Sequence, residues 1–176
     1  LAFGRGPGAF TGVRIATGIV QGLAFGAGIP VVPVSTLAAL ALGAMRAHGA
    51  MQVLAALDAR MNEVYWGAYI ASGEGVRLVG AEQVGAAQAI AAGFAASEAV
   101  AGQGRAAGDG EQSWLGVGSG WQVHGEALSA PLATVLRAAD VACLPHAREV
   151  ARLGVAGFAD GQAVAAEFAL PMYLRN

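Results

Sequence analysis

The spacing of hydrophobic residues along this chain changes several times, and the changes mark alternating helices and strands. Leu1-Ala2-Phe3 is an apolar run that stops at the glycine-rich Gly4-Arg5-Gly6-Pro7-Gly8 and reads as a strand end. A strand ending this early leads us to expect a fragment or a trimmed chain, with preceding sheet missing. Thr11 is placed to cap a helix that continues to about Gly28. Val31 to Val34 is a short β-branched run among prolines and reads as a buried strand. Ser35 or Thr36 then caps a helix from Leu37 to about His48, stopped by Gly49. Met51 to Asp58 is apolar and strand-like, and Val64 to Ile70 is the segment richest in β-formers. The Ser72-Gly73-Glu74-Gly75 turn leads into Val76 to Val79, giving a hairpin. A helix is expected over Val84–Ala96, a loop over 101–112, and a strand over Trp114–Val117. Pro145 suits the first turn of a helix that Ala147 to Phe158 continues. Ala169 to Arg175 reads as extended. Strands alternating with helices predict an α/β fold.

Composition narrows the function. The chain has 176 residues, 56% of them hydrophobic and only 12% charged, so solubility depends on burying apolar surface in a fold or against a partner. A net charge of −2 argues against clamping nucleic acid, which needs several cations on phosphates. All ten basic residues are arginine. With no lysine there is no P-loop lysine, no Schiff-base lysine and no lysine general base. A single Cys143 forms no intrachain disulfide and fits a reducing compartment, so a cytoplasmic location is expected. Leu1 to Gly8 lacks the basic start and apolar run of a secretory leader. No charge falls between Ile15 and Met45, but Pro30 and Pro33 cut that stretch into pieces unsuited to crossing a bilayer.

Candidate chemistry is sparse. Gly18, Gly22 and Gly26 fall at every fourth position of the first helix and so share a face. Each costs about 1 kcal/mol against alanine, a cost that close approach of another helix would offset. That helix belongs either to this chain's own core or to another molecule. The Gly4 to Gly12 loop resembles a phosphate cradle only in being glycine-rich, and a tight strand-to-helix turn explains it equally well. Ser119 in Gly116-Val117-Gly118-Ser119-Gly120 lacks the glycine two residues earlier that a nucleophile elbow requires, so a structural turn is expected. His48, His124 and His146 are expected at the surface or at helix ends, with no HExxH pattern. Asp58 and Glu63, with Arg60 between them, predict a salt-bridged turn rather than a carboxylate pair.

Several segments together resemble one family. Gly6-Pro7-Gly8-Ala9-Phe10-Thr11-Gly12-Val13-Arg14 is similar to the GPGSFTGxR signature of the TsaB (YeaZ) family, with Ala9 in place of the usual serine. The likeness continues through Gly18 to Gly28, Pro30 to Val34 and Ser35 to Leu40. It includes Asp58-Ala59-Arg60 with Glu63-Val64-Tyr65, then Gly118-Ser119-Gly120-Trp121, and closes at Pro171-Met172-Tyr173-Leu174-Arg175-Asn176. The resemblance implies an actin-like, Hsp70-like (ASKHA) fold of two lobes with mixed sheets. Residues 1–50 would be the remainder of the N-terminal lobe, with its first part missing, and residues 51–176 the C-terminal lobe.

The resemblance also implies a role without catalysis in forming threonylcarbamoyladenosine next to the anticodon of tRNA. The implied partners are a TsaD-like transferase and a TsaE-like ATPase, with a homodimer as the alternative pairing. Contact with tRNA would come only through the complex. The interface it implies is Phe10, Thr11, Arg14, Ile15, Gly18, Gln21, Gly22, Phe25 and Gly26, with no catalytic, cofactor or metal residues. The competing reading is an active phosphotransferase or peptidase of the same superfold.

Overall fold

A computed structural model describes residues 1–97 and 114–175. Two sheets organise it. β1 (Ala2–Gly4) and β2 (Val32–Val34) pair in parallel, Ala2 opposite Val32, and are joined by helix α1 (Phe10–Ala27). The second sheet is mixed and has the strand order β5-β4-β3-β6-β7. In it β3 (Gln52–Asp58), β4 (Glu63–Ser72) and β5 (Gly75–Ala86) form an antiparallel meander. β6 (Trp114–Val117) and β7 (Leu136–Asp140) add in parallel on the other side of β3.

Side chains alternate across β3, and each face has its own core. Val53 and Ala55 face α2 (Thr36–His48), packing with Leu37, Leu40, Ala41, Ala44 and Met45. Leu54 and Ala56 face the other layer, formed by α3 (Ala87–Ala95) and α4 (Ser119–Ser129), among Trp66, Trp114 and Trp121. Burying a side chain such as Leu37 or Leu54 fully contributes about 1.5–3 kcal/mol. Trp121 also donates its indole N–H to the Leu54 carbonyl at 3.0 Å, so the ring is fixed rather than merely enclosed. It lies flat against Gly116, where an added Cβ would sit 2.5 Å from the ring.

The last helix, α5 (Ala147–Ala159), returns to the first sheet and packs on β1, β2 and α2. Gly154 permits this, since a Cβ there would meet the Ala2 Cβ at 2.4 Å. Val164 then bridges Val31, and the Met172 N–H donates to the Arg5 carbonyl.

Several expectations need correction. α1 begins at Phe10 with Ala9 at its cap and no side-chain cap bond, so Thr11 lies inside the first turn. Of the two residues proposed to cap α2, Ser35 does so, accepting from the Ala38 N–H. Gly28 and Gly49 end α1 and α2 in the left-handed conformation, as expected. Residues 84–86 are strand rather than helix, because pairing with Glu63 to Tyr65 carries β5 on to Ala86. Helix α4 and strand β7 have no counterpart in the sequence reading. The loop expected over 101–112 lies outside the described residues.

Candidate partner interface

α1 presents two different sides. Thr17, Val20 and Ala24 are buried and hold the helix to the first sheet. At about 100° per residue, Gly18, Gly22 and Gly26 project roughly opposite to them. A Cβ added at any of the three would meet nothing within 4 Å. Among the described residues, packing within the chain therefore does not explain these glycines. Around them stand Ile15, Ile19, Leu23 and Phe25, whose exposures are 56%, 59%, 60% and 82%. Ile15, Ile19 and Leu23 follow one another at steps of four and form an apolar ridge beside the glycine groove. Ile19 and Leu23 were missed as site residues, although that stride was visible in the sequence.

The candidate residues divide into two groups. Thr11, Ile15, Gly18, Gly22, Phe25 and Gly26 are open. Phe10, Arg14 and Gln21 are engaged by the C-terminal segment. The Arg14 guanidinium carbon lies 3.8 Å from the centre of the Phe10 ring, and Arg14 Nε donates to the Tyr173 hydroxyl at 3.0 Å. The Phe10 and Tyr173 rings pack at 5.9 Å. Gln21 Nε2 donates to the Ala169 carbonyl at 3.0 Å. Tyr173 is thus a residue of this surface that no local pattern indicated.

A second cluster tests the enzymatic alternative. Folding brings Ser119, His124 and Asp58 together, the residue types of a hydrolytic triad. Their connections differ from one. Asp58 donates its backbone N–H to Ser119 Oγ at 3.1 Å, and its carboxylate lies 3.4 Å from His124 Nε2. A triad needs histidine between serine and acid so that one ring nitrogen takes the hydroxyl proton. Here the aspartate is in the middle, and no bond joins Ser119 to His124. The histidine reading needs correction for His124, whose side chain is only 10% exposed. Its backbone, at φ −121° and ψ 24°, breaks the helix around it. His48, paired with Asp140 at 2.9 Å, and His146, capping α5, do lie at helix ends.

The Asp58–Arg60 ion pair of the expected turn is present at 3.6 Å, while Glu63 bonds instead to Arg175. Arg60, Met61 and Asn62 all have positive φ in this turn. Among the described residues no three His, Cys, Asp or Glu side chains are placed to hold a metal. Burial, then the nearby Asp140 and Glu149, pushes the Cys143 thiol up, which leaves it a poor nucleophile. No helix of the described residues is long and apolar enough to cross a membrane.

The chain is 43% identical to the Escherichia coli tRNA threonylcarbamoyladenosine biosynthesis protein TsaB over 176 residues, spanning all of this chain and 70% of that protein. The chain belongs to the TsaB (YeaZ) family. The Haemophilus influenzae TsaB is 65% identical over 66 residues, which cover 38% of this chain and 28% of that protein. Among solved structures, YeaZ from Pseudomonas aeruginosa superposes with a TM-score of 0.80 at 44% identity, covering 98% of this chain and 73% of that one. The family model for TsaD, tRNA N6-adenosine threonylcarbamoyltransferase, also matches residues 1–175. The chain thus has the mixed α/β, actin-like (ASKHA) fold that this domain family shares. As a TsaB-family member it is a protein of tRNA threonylcarbamoyladenosine biosynthesis.

Proposed function

We propose that this chain is a non-catalytic subunit of the assembly that forms threonylcarbamoyladenosine, and that it acts by docking a TsaD-like transferase along α1. The TsaE-like ATPase joins that pair, and tRNA meets the chain only through the complex, in the cytoplasm. The observation that carries this reading is the open glycine groove of α1 with its apolar ridge. Glycines at every fourth position let two helix backbones approach closely, and nothing within the described chain uses the approach. The misconnected Ser119–Asp58–His124 cluster and the absence of any lysine support the non-catalytic part. A boundary between lobes near residue 50 is part of the same reading, supported by the change there from the two-stranded to the five-stranded sheet.

A homodimer through the same groove is the alternative pairing. A second reading comes from length. The E. coli relative is longer, this chain spanning 70% of it, and a further segment of such a protein is a competing occupant of the groove.

Gly22→Leu in the full-length protein separates these readings. In open space the leucine removes the helix penalty of glycine, so the melting temperature is expected to hold or rise. At a helix–helix contact, overpacking of about 1–3 kcal/mol weakens pairing roughly 5- to 150-fold. Titration with the TsaD-like partner and sedimentation of the chain alone measure the two pairings. A lowered melting temperature with unchanged pairing would show the groove to be filled by the protein itself and would sink the docking claim.

A further inference from the structure

A cleft of about 720 Å³ opens where β2 and α5 face the β4–β5 hairpin, and no residue of α1 lines it. Its walls include Val34, Leu78 and Leu153, and its polar groups carry opposite charges. Arg5, just past β1, has a buried Nε without a hydrogen-bond partner. A buried donor left unpaired is costly and calls for an acceptor that the protein itself does not supply. Glu82 on β5 accepts from the Ser35 and Tyr69 hydroxyls, both through Oε1, and Oε2 takes part in neither bond. Burial, reinforced by Glu82, pushes the Tyr69 hydroxyl far up, so it stays a donor and Glu82 the acceptor. Among the described residues Arg5 and Glu82 line one cleft without forming an ion pair.

The charge balance restricts what fits. Three carboxylates, Glu74, Glu82 and Asp160, line the cleft against the single guanidinium of Arg5. A phosphate or other plain anion would meet surroundings of its own sign, and a plain amine would leave Arg5 Nε unpaired. A molecule bearing both charges satisfies both groups at once. We propose that this cleft binds a small zwitterion of the α-amino-acid class, with its carboxylate on Arg5, its ammonium on Glu82 and an aliphatic side chain against Val34, Leu78 and Leu153.

The test uses full-length protein and three probes, L-leucine, L-valine and L-methionine, followed by ligand-detected NMR. Isocaproate and isoamylamine, each keeping one charge of leucine, are the controls. At least one amino acid is expected to bind saturably, with both controls weaker by at least about tenfold. Glu82→Gln keeps an acceptor for Ser35 and Tyr69, so the fold should survive while amino-acid binding falls by a similar factor. Arg5→Met should do the same, and if it fails to fold, Glu82→Gln carries the test alone. Three results overturn the proposal: no saturable binding of any probe, isocaproate binding as tightly as leucine, or binding unmoved by Glu82→Gln.

Discussion

Two single residues hold backbone or proton states unusual enough to measure. Met61 is 82% exposed and sits between two other positive-φ residues in the β3–β4 turn. Left-handed backbone costs an L-residue with a Cβ roughly 1–2 kcal/mol, and glycine avoids most of that at some cost in chain entropy. Met61→Gly is therefore expected to raise stability by about 0.5–1 kcal/mol in denaturant unfolding. A loss of stability would mean that the side chain's contact with Arg175 outweighs the strain. Tyr69 offers a pH test. In the unfolded chain its hydroxyl titrates near ~10, and in the folded chain burial and Glu82 hold the proton more tightly. Its contribution is then complete below that unfolded value and is lost as pH rises above it. Melting temperature should fall steeply on the alkaline side, and Tyr69→Phe should flatten the fall. An equally steep fall in the variant would assign it to other groups.

At the scale of elements, α1 carries three poor helix formers, Gly18, Gly22 and Gly26, on an open face. Gly18→Ala and Gly26→Ala each add a Cβ that meets nothing, so each should stabilise the free chain by about 1 kcal/mol. Chemical denaturation of the single and double variants checks this, and a destabilised double variant would contradict the open groove. Much of this architecture was legible in the sequence. The apolar stride of α1, its Gly28 stop, the Ser35 cap and the β4–β5 hairpin all follow from local pattern and turn chemistry. Helix α4 was hidden because Gly120, His124 and Gly125 lower its helix propensity, and its hold comes from Trp121 on the β3 backbone, 67 residues away. β7, Leu136-Arg-Ala-Ala-Asp, has no β-branched residue and is a strand because β6 pairs with it. The Arg14–Tyr173 contact joins residues 159 apart, a distance that no periodicity spans. The glycine stripe was readable, but whether it faced inward or outward depended on which side of α1 the first sheet covers.

Over the whole molecule, net charge is −2 and charged residues are few. Counterion release then offers little, and the chain alone should bind tRNA weakly at physiological salt, as a filter-binding titration would show. A tight partner-free complex would contradict this. Purified protein should likewise show no peptidase turnover, and activity lost on Ser119→Ala or His124→Ala would refute that expectation. The closing of the first sheet by residues 147–172, far along the sequence from it, sets an order of events in the cell. β1 and β2 leave the ribosome before the second sheet, yet α5, Val164 and Met172, which cover and bond them, leave after it. Domains that fold during synthesis generally do so from the N-terminus. Here the second sheet, continuous in sequence, can assemble on the nascent chain, while the first must wait for α5 and the segment that runs to Met172. Until then the apolar side of α1 that carries Val20 and Ala24 has no complete seat, and the nascent chain is exposed to aggregation or to early capture by whatever binds that helix.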